Sequence, residues 1–335
     1  MGAQPPQGRS RRIAVVGVGA WGSALALHCA RAGHPVIGWT RENGVVESVQ
    51  RTGTFSFAGK TLPVPLNLTI TSNLADLADA DLTIIALPAR AWGEVVPLLK
   101  TKVIISATKG LEKDSGLTPL SYAAEKLNIP RERLAVISGP SFASDLIAGH
   151  PISIVAGSTS EALALEVATT LSNEALRVYT STDPIGVELG GILKNVVAIA
   201  AGVSDSLGYG PSARAALITR GLAEMATLAT AMGANFKTLA GLSGLGDLLM
   251  TATEDQSRNR AVGLALGKGG KLADVLKSLG STAEGVSSAP LVQKMARAKG
   301  IETPITDHVV KLLLGELGPS ELAKPLMTRP LRGEF

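Results

Sequence analysis

Residues 186–202, GVELGGILKNVVAIAAG, are apolar on almost every side. A helix with no polar face belongs in an interior, not at a surface. The run nevertheless contains Glu188, Lys194 and Asn195. Lysine and glutamate are almost never fully buried unless paired, because taking a charge out of water is costly. Lys194 must therefore meet a partner. Two readings follow. One is a structural ion pair, with Glu188 the nearest acid, although six positions is a poor helical spacing for direct contact. The other is a buried cleft in which Lys194 is an ionisable group that does chemistry.

The chain changes character at this run. Before it, short apolar strands alternate with helices: strands at Arg12–Val16, Pro35–Trp39, Leu68–Thr71, Asp81–Leu87, Lys102–Ala107, Leu134–Ile137, Pro151–Ala156 and Leu176–Thr180. Residues 52–67 read as loop. After Asp183 the pattern is helical throughout, with segments at Ser212–Met232, Leu239–Thr251, Arg258–Leu266, Leu272–Lys277, Glu284–Ala298 and Thr306–Leu314. Strand–helix alternation followed by helices alone predicts an α/β Rossmann-type N-terminal domain, residues 12–185, and an all-helical C-terminal domain, residues 186–335. Residues 1–11 read as a disordered tail. At 335 residues the chain is long enough for two cores.

The first strand runs into Gly17-Val18-Gly19-Ala20-Trp21-Gly22, and a helix and a second strand follow. In this context a GxGxxG motif is a dinucleotide site. Gly17 permits the tight turn, Gly19 lets a pyrophosphate approach the backbone, and Gly22 lets the helix pack close to the strand. The helix N-terminus then offers free N–H groups to the phosphates. The second strand exits as Thr40-Arg41-Glu42, where an NAD site places an acid for the ribose diol. Arg41 suits a 2′-phosphate and favours NADP(H). Glu42, one residue on, leaves NAD(H) open, and Arg41 also reads as a solvated residue opening the helix over 42–51.

Further polar candidates lie where ligands bind in such sheets, beyond the carboxyl ends of strands. Lys109 follows one strand and reads equally as an exposed loop lysine. Ser138-Gly139-Pro140-Ser141-Phe142 makes a small-residue turn, with Ser141 a hydrogen-bonding residue and not a nucleophile, since no GxSxG elbow is present. In the second half, Gly241-Leu242-Ser243-Gly244-Leu245-Gly246-Asp247 is glycine-rich with one acid. Ser257 caps a helix whose first turn carries Arg258, Asn259 and Arg260. That is either an anion site or a surface helix with two solvated arginines.

Composition removes several classes. A formal charge of +4 without a basic, aromatic-interleaved run gives no case for nucleic acid. One cysteine forbids an internal disulfide, and four separated histidines give no metal-ligand spacing. No uninterrupted apolar stretch reaches the ~20 residues of a membrane span, and residues 1–10 lack a secretory apolar region. The default is a cytoplasmic protein.

Six motifs in order, GVGAWG at 17–22, ATKGLE at 107–112, SGPSFA at 138–143, the 186–202 run, LSGLGDLLMT at 242–251 and SRNR at 257–260, resemble the NAD(P)-dependent glycerol-3-phosphate dehydrogenases of the bacterial type. The resemblance runs from Ile13 to about Leu314. It implies reversible reduction of dihydroxyacetone phosphate to sn-glycerol 3-phosphate in a cleft between the two domains, feeding glycerophospholipid synthesis. It implies that Lys194 is the general base for the C2 hydroxyl, a role suited to a lysine whose charged form burial disfavours. Lys109, Gly139, Ser141, Asn195, Asp247, Thr251, Ser257, Arg258 and Asn259 match substrate-site residues. Gly17, Gly19, Ala20, Trp21, Gly22, Arg41, Lys109, Ala143, Arg258 and Glu284 match cofactor contacts. A small-molecule phosphate substrate and a homodimer are further implications. The chain departs from many relatives at Ser144-Asp145 and at Thr282-Ala283, beside the cofactor wall. The rival readings are a related two-domain 2-hydroxy acid dehydrogenase and a dinucleotide-binding sensor without catalysis.

Overall fold

The computed structural model describes residues 10–57, 60–280 and 282–321. It divides into two compact units, Met1–Glu188 and Leu189–Phe335.

The first unit is built on an 8-stranded sheet in the order β10-β9-β8-β7-β6-β1-β2-β5. Its strands are β1 (Ile13–Val16), β2 (Val36–Trp39), β5 (Leu68–Thr71), β6 (Leu82–Ile85), β7 (Ile104–Ser106), β8 (Leu134–Ser138), β9 (Ile152–Gly157) and β10 (Leu176–Ser181). Pairing is parallel except between β8 and β9. The four residues of β1 are all fully buried. Ile13 and Val15 join one core with Leu25 and Leu27 of α1 (Ala20–Arg31) and Val167 of α6 (Glu161–Leu171). Ala14 and Val16 join the other with Trp92 of α3 (Trp92–Val95) and Ala123 of α4 (Pro119–Lys126). Helices thus cover both faces, which is why the central strands read as unbroken apolar runs and not as alternation.

Residues 52–67 are not all loop. After α2 (Asn43–Thr52), β3 (Thr54–Phe57) and β4 (Lys60–Pro63) form an antiparallel pair apart from the main sheet. The prolines that suggest loop, Pro63 and Pro65, stand at the end of β4 and beyond it, where no ladder donor is needed. The tail expected over residues 1–11 lies mostly outside the described residues. Its last residue, Arg11, is tied down: its guanidinium pairs with Glu166 at 2.6 Å and its backbone N–H donates to His34 Nδ1.

The second unit is helical. Helix α7 (Pro184–Ser206) enters it, followed by α8 (Gly210–Ala231), α9 (Phe236–Leu239), α10 (Asp247–Thr253), α11 (Arg258–Gly267), α12 (Leu272–Leu279), α13 (Glu284–Ala298) and α14 (Pro304–Leu313). The single helix expected over Leu239–Thr251 is broken. A π-helical turn, Leu242–Gly246, separates α9 from α10. At Gly244 a side chain would collide with the backbone of Leu239, so the glycines permit this tight wind and also interrupt helix propagation. Helix α7 is long and apolar enough to cross a membrane, but 94% of its apolar window is buried within the chain. Its hydrophobicity is that of a core helix.

Candidate active site

In the first unit the glycine motif sits as its chemistry demands. Gly17 has φ +97°, and a Cβ there would press on the Ala86 carbonyl. At Gly22 a Cβ would overlap the Gly17 carbonyl oxygen, so only glycine lets α1 begin this close to the turn. Gly19 has open space on its Cβ side. It is the N-cap residue of α1 and no side chain caps the helix, leaving the first-turn N–H groups to a ligand. Ala20 and Trp21 are the first two residues of α1. The turn thus leaves room and free N–H groups at the α1 N-terminus, a geometry that can accept an anionic group.

Arg41 leaves the carboxyl end of β2 and does not stand alone in solvent. Its Nη2 lies 3.7 Å from Glu94 Oε2, and Glu94 Oε1 accepts from Lys113 Nζ at 2.8 Å. The Lys113 ammonium, and secondarily Arg41, hold the Glu94 carboxyl below its usual range. Glu42 is exposed at the N-cap of α2 without a side-chain capping bond.

Lys109 and Gly139, assigned separately from sequence, come together: Lys109 Nζ donates to the Gly139 carbonyl at 3.0 Å. Ser141 Oγ donates to the same carbonyl at 3.0 Å. Gly139 has φ +149°, and a Cβ there would strike Ile154. Ala143 begins α5 (Ala143–Ala148) immediately after this turn.

Glu188 is not the partner of Lys194. Its Oε1 accepts the Leu120 backbone N–H at 2.8 Å, where Thr118 and Pro119 start α4. Burial pushes its carboxyl up to about 7, against bonds from Thr118 and Leu120 and the charge of Arg131.

In the second unit Lys194 finds its counterion 53 residues away in sequence. Lys194 Nζ lies 2.9 Å from Asp247 Oδ1 and donates to Thr251 Oγ1 at 2.6 Å. Thr251 Oγ1 lies 3.2 Å from Asp247 Oδ1, to which it donates. The side chains of Lys194 and Asp247 are 7% and 0% exposed, so the pair is desolvated and the geometry is tightly determined. Asp247 and Thr251 are one helical turn apart on α10, which puts both on the face that meets Lys194. The close passage is made by glycine: a Cβ at Gly190 would clash with the Ser243 carbonyl.

Asn195, the next residue on α7, extends the constellation. Its Oδ1 accepts from Asn259 Nδ2 at 2.8 Å, and Asn259 Oδ1 accepts the Gly285 backbone N–H at 2.9 Å. Asn259 therefore joins α7 to α11 and to the first turn of α13, which opens with Glu284. Ser257 caps α11 by accepting the Arg260 N–H at 3.2 Å. Arg258 is exposed, and among the described residues it has no ion-pair partner. Arg260 is not the solvated arginine that the surface-helix reading supposed. It is 8% exposed and bound to Asp205 and Asp255. Sequence reasoning missed Asp205, which carries no signal beyond being an acid near the end of an apolar run.

A Rossmann-type unit with a glycine turn at an uncapped helix N-terminus, followed in the chain by a helical unit that buries a lysine beside an aspartate and a threonine, fits a nucleotide-dependent dehydrogenase architecture. Residues 12–164 match the family model described as NAD-dependent glycerol-3-phosphate dehydrogenase N-terminus, and residues 183–324 match the corresponding C-terminus. The chain belongs to the NAD-dependent glycerol-3-phosphate dehydrogenase family. It is 44% identical over 329 residues to glycerol-3-phosphate dehydrogenase (NAD(P)+) of Aromatoleum aromaticum, covering 96% of this chain and 100% of that one. It is 41% identical over 327 residues to the enzyme of the same name from Alkalilimnicola ehrlichii, covering 96% and 98%. The crystal structure of glycerol-3-phosphate dehydrogenase from Coxiella burnetii superposes with a TM-score of 0.89 at 37% identity, over 96% of this chain and 99% of that one.

Proposed function

We propose that this protein catalyses the reversible NAD(P)H-dependent reduction of dihydroxyacetone phosphate to sn-glycerol 3-phosphate, supplying glycerophospholipid synthesis. The observation that carries the reading is the desolvated Lys194–Asp247–Thr251 constellation, in a chain of this family. A bound NAD(P)H supplies the hydride that reduces C2.

Each residue then has a physical task. Gly17, Gly19, Ala20, Trp21 and Gly22 hold the pyrophosphate on the α1 N-terminus. Arg41 is suited to a 2′-phosphate, which favours NADP(H), and NAD(H) is accepted as the family name allows. Lys109, Gly139, Ser141 and Ala143 form the wall facing nicotinamide and substrate, and Glu284 contacts the cofactor. Ser257, Arg258 and Asn259 receive the substrate phosphate at the α11 N-terminus, with Arg258 also near the cofactor. In reduction the Lys194 ammonium donates a proton to the C2 oxygen; in oxidation the neutral amine removes the proton from the C2 hydroxyl. Asp247 and Thr251 aim Nζ and fix its proton, and Asn195 orders the polar surroundings. The same reading places the enzyme in the cytoplasm as a homodimer.

The test is loss of reduced-cofactor absorbance on adding dihydroxyacetone phosphate, run with NADPH and NADH in parallel. Turnover is expected with both, faster with NADPH. Lys194→Met should abolish turnover, by at least ~10³-fold as for loss of a proton-transfer group, while cofactor still binds. A folded Lys194→Met protein with unchanged turnover would sink the mechanism. An NADH preference would move the cofactor assignment from Arg41 to Glu42.

A further inference from the structure

Arg260 is the fourth residue of the SRNR motif, and the proposed chemistry gives it no task. Its guanidinium is paired with two carboxylates. Nε and Nη2 both donate to Asp205 Oδ2, at 3.2 and 2.8 Å. Nη1 donates to Asp255 Oδ1. Asp205 Oδ2 also accepts from Arg214 Nη1 at 3.0 Å. Arg260 and Asp205 have side chains 10% and 12% exposed, whereas Asp255 is 94% exposed.

The geometry of this clamp is directional. Asp205 stands in the last turn of α7, the helix that carries Lys194 and Asn195. Arg214 stands in the first turns of α8. Asp255 lies in the short connection between α10, which carries Asp247 and Thr251, and the Ser257 cap of α11. One guanidinium therefore ties the first turn of α11 to the far end of α7 and to the segment that delivers it from α10. A second contact fixes the same pair of helices by shape. At Gly202 a Cβ would overlap the Arg260 carbonyl oxygen, and at Gly263 it would overlap the Ile199 carbonyl oxygen. Backbone contact sets the spacing of α7 and α11, and the Asn259–Asn195 hydrogen bond ties them at one point. The forked salt bridge adds a second polar tie at the far end of α7, and two separated ties oppose rotation and sliding.

We propose that Arg260 is a positioning residue for the substrate phosphate. Held by Asp205 and Asp255, it sets the pitch of the α11 first turn, and so the placement of Ser257, Arg258 and the α11 N–H groups around the phosphate oxygens. The proposal rests on the reading that this turn takes the phosphate. A lysine in place of Arg260 keeps the charge but has no planar fork to bridge both aspartates.

The test compares two substrates in the full-length enzyme: dihydroxyacetone phosphate, and dihydroxyacetone, which never engages a phosphate site. Arg260→Lys and Asp205→Asn should each raise KM for the phosphorylated substrate about tenfold with kcat within about twofold. Turnover of dihydroxyacetone should stay unchanged. Asp255→Ala removes an exposed carboxylate that the fold tolerates, and it should raise the same KM by a smaller factor of about two to three. This variant keeps the proposal testable even where the buried ones fail to fold. An unchanged KM for dihydroxyacetone phosphate in folded variants, or parallel losses on both substrates, overturns the proposal. Arg258→Ala is run alongside to separate the two layers. If Arg258→Ala leaves the preference for the phosphorylated substrate intact, the phosphate assignment itself has failed. If Arg258→Ala destroys that preference and the Arg260, Asp205 and Asp255 variants leave it intact, only the positioning role has failed.

Discussion

At the scale of residues, the cost of desolvating a charge made Lys194 conspicuous in sequence, because a lysine within an apolar run must be paired. That argument supplied the need for a partner and not its identity. Glu188 is on the same helix but meets the Leu120 N–H, and the counterion is Asp247. Spacing along α7 correctly weighed against Glu188. Choosing Asp247 required the fold, since a separation of 53 positions carries no distance information. Asp247→Asn should leave a buried ammonium without its anion. Loss of one member of a buried pair costs about 3–5 kcal/mol, so the urea midpoint should fall markedly while the isosteric side chain preserves shape. Turnover should fall with it, because the amide no longer orders Nζ. A midpoint within experimental error of wild type would mean that the pair is solvated.

At the scale of elements, the GxGxxG turn was fully legible, since each glycine answers a local steric demand and the strand and helix on either side are local too. The start of α11 was legible through Ser257, whose cap is a short-range hydrogen bond. The glycines of α7 and α11 were silent as to partner. Gly202 and Gly263 each look like a helix-weakening residue, and only the crossing of the two helices explains them. Gly263→Val should therefore cost far more than the intrinsic helix preference of under ~1 kcal/mol. A branched side chain forced into the Ile199 carbonyl must push the helices apart, a loss of about 3 kcal/mol or more in chemical denaturation. A change below 1 kcal/mol would show that the crossing is loose. The π turn over Leu242–Gly246 and the β3–β4 pair escaped for a related reason: neither has a hydrophobic period long enough to outweigh its glycines or prolines.

At the scale of the whole molecule, the first unit buries and the second partly buries a carboxyl that does not belong to the proposed chemistry. Glu188 in the first and Glu224 in the second both have pKa values raised by burial. Glu224 accepts the Ile305 and Thr306 N–H groups at the start of α14. A raised folded-state value means that the native protein holds the proton more tightly than the unfolded chain. Both groups therefore stabilise the fold below their unfolded pKa, and that contribution is lost as pH rises through the folded value. For Glu188 the window runs from about 4.5 to about 7, a span on the order of 3 kcal/mol. His28, whose pKa is lowered by burial, acts in the opposite sense and favours the fold as pH rises through the usual histidine range. Glu188→Gln keeps an acceptor for Leu120 and cannot ionise. Urea titrations at pH 5 and pH 8 should show a smaller loss of stability between those values in this variant than in wild type. An identical loss would mean that Glu188 does not titrate in that interval.

Sequence alone determined what local physics can encode: the α/β half followed by the helical half, the glycine turn between β1 and α1, the capped α11 and the requirement that Lys194 be paired. Each depends on periodicity, on steric need at a single residue, or on the cost of burying one group. The tertiary structure decided every pairing between distant groups: Lys194 with Asp247, Asn195 with Asn259, Arg260 with Asp205, and Gly202 against α11. Charges and glycines at a surface and in a core look alike along the chain, and only packing distinguishes a solvated arginine from one that holds two helices together.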